Sequence, residues 1–263
     1  MKDSVRSTTL TIARVTLQEA LRDRLLYNLV VFAVLLVASS LTISQLTLGE
    51  QFRIIANIGT AATQLFGLLI AVFLGVGLVS REMDRRTCYP ALARPISRAG
   101  FVAGKYLGLL ATLALNVLLM AVATGVMLLI YRGEEAPLGA AFAATFFLTF
   151  LQLAVAGALA VLFSTFSSPT LSAIFALSIS GAGFLFGEVR AFWLSARQAE
   201  MKGLIGMLDV LLPNLSLLDL KEAVTYGDPV SAGSVLLRAA YGAGYAGVLL
   251  AMAAFIFSRR DVR

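Results

Sequence analysis

The residues best suited to chemistry in this 263-residue sequence are gathered in one stretch, 81–98, which reads REMDRRTCYPALARPISR and holds five arginines and two carboxylates. Guanidinium and carboxylate groups at this density make strong, directional, charge-assisted hydrogen bonds. They do not by themselves make a catalyst. The sequence has no histidine, which removes imidazole general bases, Ser-His-Asp triads and imidazole metal ligands. Its one cysteine, Cys88, lies inside the same stretch. With no second thiol, neither an internal disulfide nor a multi-thiolate metal site can form, and Cys88 reads as incidental. The chemistry expected of 81–98 is therefore recognition of a partner.

The elements that position this stretch are apolar. The chain is 59% hydrophobic and only 14% charged, where soluble domains carry about 25% charged residues, and its mean hydropathy is +0.88. Six runs approach the ~20 apolar residues that cross about 30 Å of hydrocarbon: 26–46, 60–79, 106–130, 140–163, 171–187 and 235–257. Backbone groups in lipid have no water to bond, so these runs must be helices. They lack the apolar/polar alternation of barrel strands. The expected fold class is an all-α integral membrane protein of six transmembrane helices forming one domain over 1–263. No stretch of about 100 non-membrane residues is left for a soluble catalytic domain. The start of the chain is not read as a signal peptide, because its apolar run begins only near Leu25 and no small-residue cleavage site follows closely.

Charge asymmetry gives an orientation. Residues 1–25, 80–105, 164–170 and 258–263 carry 14 of the 21 lysines and arginines and net +8, while the opposite side nets −2. Positive loops stay inside, so both termini are expected in the cytoplasm of a multi-pass protein of the plasma (inner) membrane. The overall +6 is then a topology signal and implies no nucleic-acid partner.

Between the spans, residues 5–24 predict an amphipathic helix lying in the interface, with Leu10, Ala13, Leu17 and Leu21 at helical spacing. Residues 41–59 and 131–138 read as plain outer connections. Residues 188–234 form the longest extracytoplasmic segment. Met201, Leu204, Ile205, Leu208, Leu211 and Leu212 make a helical stripe ending at Pro213, and LLPNLSLLDLKEAV starts a second apolar turn. These stretches are too apolar for free loops and too short to span. They rest on or dip into the membrane, or pack on the span ends.

Within 81–105, Met83 to Leu92 has the length of about two helical turns, interrupted at Pro90 and ended at Pro95. Ser97 is placed to cap the following helix. The stretch REMDRRTCYPALARPISRAGFVAGKYLG resembles the cytoplasmic loop of type-2 ATP-binding-cassette (ABC) exporter permeases. That loop reads roughly Glu, Gly-Thr, a short apolar run, Pro-Ile/Val-Ser-Arg and later Gly-Lys. Glu82 and Thr87 match its first positions, Pro95, Ile96, Ser97 and Arg98 its turn, and Gly104-Lys105 its closing pair; Arg86 stands where the family usually has glycine. The resemblance implies a coupling helix between spans two and three that docks on a separate ATPase subunit. Arg81, Glu82, Asp84, Arg85, Arg86, Thr87, Arg94, Pro95, Ser97 and Arg98 would form the interface. It also implies a dimer with a second permease copy or paralogue. ATP and magnesium would be held by the partner ATPase, and no cofactor by this chain. Charge alone equally fits arginines that obey topology and bind lipid phosphate.

Other patterns carry less. GFVAGKY (100–106) is one residue short of a phosphate loop and has tyrosine after the lysine. GAGYAG (242–247), Gly183 with Gly187, and Ala154 with Ala158 are small-residue pairs suited to close helix packing, including a dimer seam. Few polar residues interrupt the spans. Gln64, Asn116 and Gln152 are candidates for a substrate path, or for ties between helices. The absence of a carboxylate in mid-span argues against ion coupling. The expected function is an ABC permease subunit, itself non-catalytic, that exports an amphipathic or lipid-like substrate. The rival readings are a membrane scaffold without transport and a lipid-modifying membrane enzyme.

Overall fold

The computed structural model describes residues 2–44, 51–85, 98–132, 138–195, 212–226 and 230–259. Its elements are α1 (Lys2–Leu21), α2 (Arg24–Ser44), α3 (Gln51–Arg85), α4 (Arg98–Arg132), α5 (Ala140–Ser164) and α6 (Pro169–Ser195). A single 3-10 turn (Leu215–Leu218), α7 (Lys221–Tyr226) and α8 (Ala232–Arg259) follow. No strand occurs among the described residues.

Four helices are long and apolar enough to cross a membrane: Phe52–Leu78 in α3, Gly100–Ile130 in α4, Ala140–Ser164 (α5) and Ala232–Arg259 (α8). The apolar parts of α2 and α6, Leu29–Ser40 and Pro169–Leu185, are shorter, so the expected spans 26–46 and 171–187 do not reach spanning length among the described residues. The expected connection at 41–59 needs correction: α2 runs on to Ser44 and α3 begins at Gln51. Seen from the chain, Arg85, Arg98 and Arg259 lie at one end of the bundle, here the near end, and Gln51, Arg132, Ala140 and Ala232 at the far end.

Helix α5 is the centre of the bundle, with 78% of its apolar window buried against 28% for α8 at the rim. Small residues bring its neighbours close. A Cβ on Gly157 would stand 2.8 Å from Leu109 of α4, and one on Gly75 of α3 would stand 2.8 Å from Ala160. Several hydroxyls inside the bundle are satisfied by their own helices, as in Thr63 Oγ1 to Gly59 O (2.7 Å) and Thr112 Oγ1 to Gly108 O (2.9 Å). Returning bonds of this kind let threonine sit in an apolar segment without a partner helix. The α5–α6 turn is tight: the Thr165 N–H bonds Leu162 O at 3.1 Å and the Ser167 N–H bonds Phe163 O at 2.9 Å. Pro169 then opens α6 where no amide donor is needed.

The extracytoplasmic segment expected at 188–234 begins as helix, since α6 continues to Ser195. The stripe Met201–Leu211 lies outside the described residues. Residues 212–226 return into the bundle, where Leu215 and Leu218 are fully buried. The Leu215 carbonyl accepts a hydrogen bond from Gln152 Nε2 (2.8 Å) and the Leu220 carbonyl one from Thr145 Oγ1 (3.0 Å). Gln152 lies twelve residues into α5, about 18 Å along its axis at 1.5 Å per residue. The turn therefore enters to mid-helix depth. Val224 of α7 closes a second small core with Ile55, Ala56 and Leu128.

This insertion decides the use of one small-residue pair. A Cβ on Gly183 would strike the Pro213 carbonyl and Leu215, and one on Gly187 would strike Ser216. Both glycines are spent on the inserted turn and are not free for a dimer seam. Ala154 and Ala158 are buried inside the chain too. In 242–247, Gly242 packs on Leu218 and Leu151, whereas Gly244 and Gly247 face open space.

Candidate functional site: the near end and its polar links

The candidate coupling segment falls, in sequence, at the junction of α3 and α4. Arg81, Glu82, Asp84 and Arg85 form the last turns of α3, and Arg98 opens α4. The two-turn helix expected from Met83 therefore starts as a continuation of α3. Arg86, Thr87, Cys88, Arg94, Pro95 and Ser97 lie outside the described residues. The motif GFVAGKY is helical, within α4, and so is not a phosphate-binding loop.

Helices α3 and α4 run antiparallel. Gly59 meets Thr124 toward the far end, while Ala71 and Leu109 both approach Gly157 deeper in the bundle. Residues 86–97 therefore connect, in sequence, two helices that both pack on α5. Lys105, seven residues after Arg98, is only 9% exposed, and its Nζ lies 3.6 Å from Glu19 Oε2 of α1. The ammonium also sits over the Phe101 ring, 5.9 Å from its centroid. One turn on, a Cβ at Gly108 would stand 2.5 Å from Thr16 Cβ and 2.8 Å from Ala13 O, so α1 and α4 touch backbone to backbone. The docked face of α1 overlaps the expected stripe in part, since Ala13 meets Gly108 and Leu17 is half-buried. Thr16 and Ala20 are buried, while Leu21 is 48% exposed. A helix docked on another helix buries its small residues where the backbones approach, which shifts the contact from the stripe's leucines toward Ala13, Thr16 and Ala20.

Deeper in the bundle, Gln64 Nε2 of α3 donates to Gln152 Oε1 of α5 at 3.3 Å, and Gln152 Nε2 donates onward to Leu215 O. Gln64 and Gln152 thus link α3, α5 and the inserted turn. Asn116 of α4 is brought to neither. It is 5% exposed, and both atoms of its side-chain amide lack a hydrogen-bond partner. Tyr106 supplies a link the sequence did not advertise, its hydroxyl donating to Ala154 O at 2.8 Å. Its only sequence signal was its place directly after Lys105. Glu19 was likewise missed, since a carboxylate on an exposed amphipathic helix has no marker of a distant partner. Among the described residues, no group of three or more histidine, cysteine, aspartate or glutamate side chains is gathered to hold a metal ion.

Gln64, Gln152, Tyr106 and Lys105 thus join helices to each other, and the charges of 81–98 lie in sequence between α3 and α4. No curated protein matches the chain. The family model described as ABC-2 family transporter protein matches residues 10–262, nearly the whole length and including most of α1, the charged stretch 81–98 and α8. The chain belongs to the ABC-2 transporter family, a family of membrane permeases of ABC transporters.

Proposed function

We propose that this chain is the export permease of an ABC transporter, working as a dimer with two copies of a separate ATPase subunit. The observation that carries this reading is the family match over 10–262, with a charged segment set between α3 and α4. Residues 81–98 dock on the ATPase by charge-assisted bonds. Closure of the ATPase on ATP and magnesium pushes that segment, and the push passes as a rigid-body motion into α3 and α4. Both termini and 81–98 face the cytoplasm of the plasma membrane, and α2 and α6 complete six spans within one permease domain. The chain itself performs no catalysis. The path opened to the opposite side is apolar with few polar residues, which favours an amphipathic or lipid-like cargo.

The test is affinity purification of the chain from native membrane in mild detergent, with Glu82, Arg85 and Arg86 intact or replaced together by glutamine or alanine. The intact chain retains an ATPase and stimulates its hydrolysis. The substituted chain inserts normally but loses the ATPase. Undiminished coupling in the substituted chain rejects the reading.

A further inference from the structure

At the far end, the inserted turn, α7, the C-terminal half of α6 and the start of α8 surround a cavity of about 460 Å³. Small-molecule sites commonly fall between about 300 and 1,000 Å³. Four charged residues line it, Asp219, Lys221, Glu222 and Arg238, and they sum to zero. Two of them neutralise each other, with Lys221 Nζ 3.4 Å from Asp219 Oδ2. Asp219 Oδ1 also accepts the Lys221 backbone N–H at 2.9 Å.

The other two charges are separate. Arg238 uses Nη1 to bond the carbonyls of Leu217 (2.7 Å) and Asp219 (3.4 Å), which fixes the guanidinium without neutralising it. Its Nε and Nη2 donors have no partner among the described residues, and no carboxylate there lies within ion-pair distance. Glu222 has an exposed side chain and no bonded partner among the described residues. Two lining hydroxyls already donate elsewhere, Ser216 Oγ to Asn214 Oδ1 (2.6 Å) and Ser234 Oγ to Ser231 O (2.8 Å). They therefore offer only lone pairs. One fixed guanidinium, one free carboxylate and two acceptor hydroxyls suit a ligand carrying an anionic group beside an N–H-bearing cation.

The cavity's flanks are apolar and open. Leu185 and Leu237, next in sequence to the lining residues Phe184 and Arg238, are 59% and 75% exposed. We infer that this cavity binds the headgroup of a zwitterionic phospholipid from the adjoining leaflet. Arg238 meets the phosphate, Glu222 meets the primary ammonium, and the acyl chains lie along α6 and α8. This is a resident lipid site and does not depend on what the permease carries.

The experiment uses the full chain in nanodiscs of mixed phosphatidylethanolamine and phosphatidylglycerol, with retained lipid identified by native mass spectrometry. The wild type retains phosphatidylethanolamine over phosphatidylglycerol by about threefold to fivefold, the scale of a partly exposed ion pair. Glu222→Lys, at a side chain that makes no bond among the described residues, reverses the preference, and Glu222→Gln flattens it. Free phosphoethanolamine at millimolar concentration leaves the retained lipid in place. Absence of a wild-type preference, or a preference unmoved by Glu222→Lys, rejects the site. Displacement by free phosphoethanolamine rejects the lipid in favour of a soluble zwitterion. ATPase association, followed in the same preparations, separates failure of this site from failure of the permease reading.

Discussion

Lys105 of α4 and Glu19 of α1 form an ion pair across the near end of the bundle, 3.6 Å apart, with the ammonium 9% and the carboxylate 65% exposed. The asymmetry matters. The lysine has been taken from water and has the Phe101 ring beside it, whereas the glutamate remains largely solvated. Half-exposed pairs of this sort contribute at most about 1 kcal/mol, so this one does less to hold the fold together than to set where α1 sits on α4.

Charge at residue 19 should therefore register α1 on α4. Glu19→Gln is expected to lower the melting midpoint of the purified chain slightly. Glu19→Lys, which places a like charge beside Lys105, should lower it by several degrees. Raising the salt from 0.05 to about 0.5 M should shrink the gap between the two variants, because the Debye length falls below the pair's reach into solvent. Scanning fluorimetry at both salt concentrations makes the comparison, and identical midpoints for Gln and Lys would discard the pair as a registering contact.

Much of this architecture was legible in the sequence. The apolar runs at 60–79, 106–130, 140–163 and 235–257 each fall inside a helix of the expected kind, because run length against bilayer thickness is a local property. The helix at 5–24 and the turn at 164–170 were legible for similar reasons. The inserted turn was not. Its carbonyls are satisfied by Gln152 and Thr145, sixty or more residues away, and nothing local in LLPNLSLLDL announces those donors. The same holds for Gly183 and Gly187, whose spacing is that of a helix-dimer face but whose space is filled by Pro213, Leu215 and Ser216 of the same chain. Gln64 and Gln152 were found as polar residues in spans, but only tertiary structure reveals that they bond each other.

Gln152 should hold the inserted turn. Gln152→Leu removes the donor to Leu215 O and the acceptor for Gln64, leaving a buried carbonyl unpaired at a cost of about 1–3 kcal/mol. Residues 212–226 are expected to exchange backbone hydrogens at least tenfold faster, while the middle of α4 stays unchanged. Hydrogen–deuterium exchange read by mass spectrometry gives the answer, and equal protection of 212–226 in both proteins contradicts the anchoring role.

Gly59 and Thr124 should behave as one packing unit. A Cβ on Gly59 would overlap the Thr124 side chain, which is fully buried and, being β-branched, has little rotamer freedom with which to yield. Gly59→Ala is expected to destabilise by about 1–3 kcal/mol, as overpacking does. Thr124→Ala in the same chain should restore most of the loss, since it clears the space and removes a hydroxyl that has no partner. Melting midpoints of the two single variants and the double variant decide this, and simple additivity would show that the two positions do not share the space.

Asn116 offers a sharper separation of stability from function. Its amide is 5% exposed and unpaired on both atoms, so the fold bears its desolvation with no compensating bond. Replacing it by leucine, a side chain of similar size, removes that penalty, and truncating an unpaired polar group costs nothing in lost bonds. Asn116→Leu is therefore expected to raise the melting midpoint or leave it unchanged, unlike Gln152→Leu, which should lower it. A buried amide without a partner inside a membrane helix is suited to a transient polar contact with cargo or with a moving helix. Transport-stimulated ATP hydrolysis of the assembled transporter should accordingly fall severalfold in Asn116→Leu at undiminished stability. Wild-type stimulation with a raised midpoint would leave Asn116 with no part in the path, and a lowered midpoint would mean that its amide supports the fold after all.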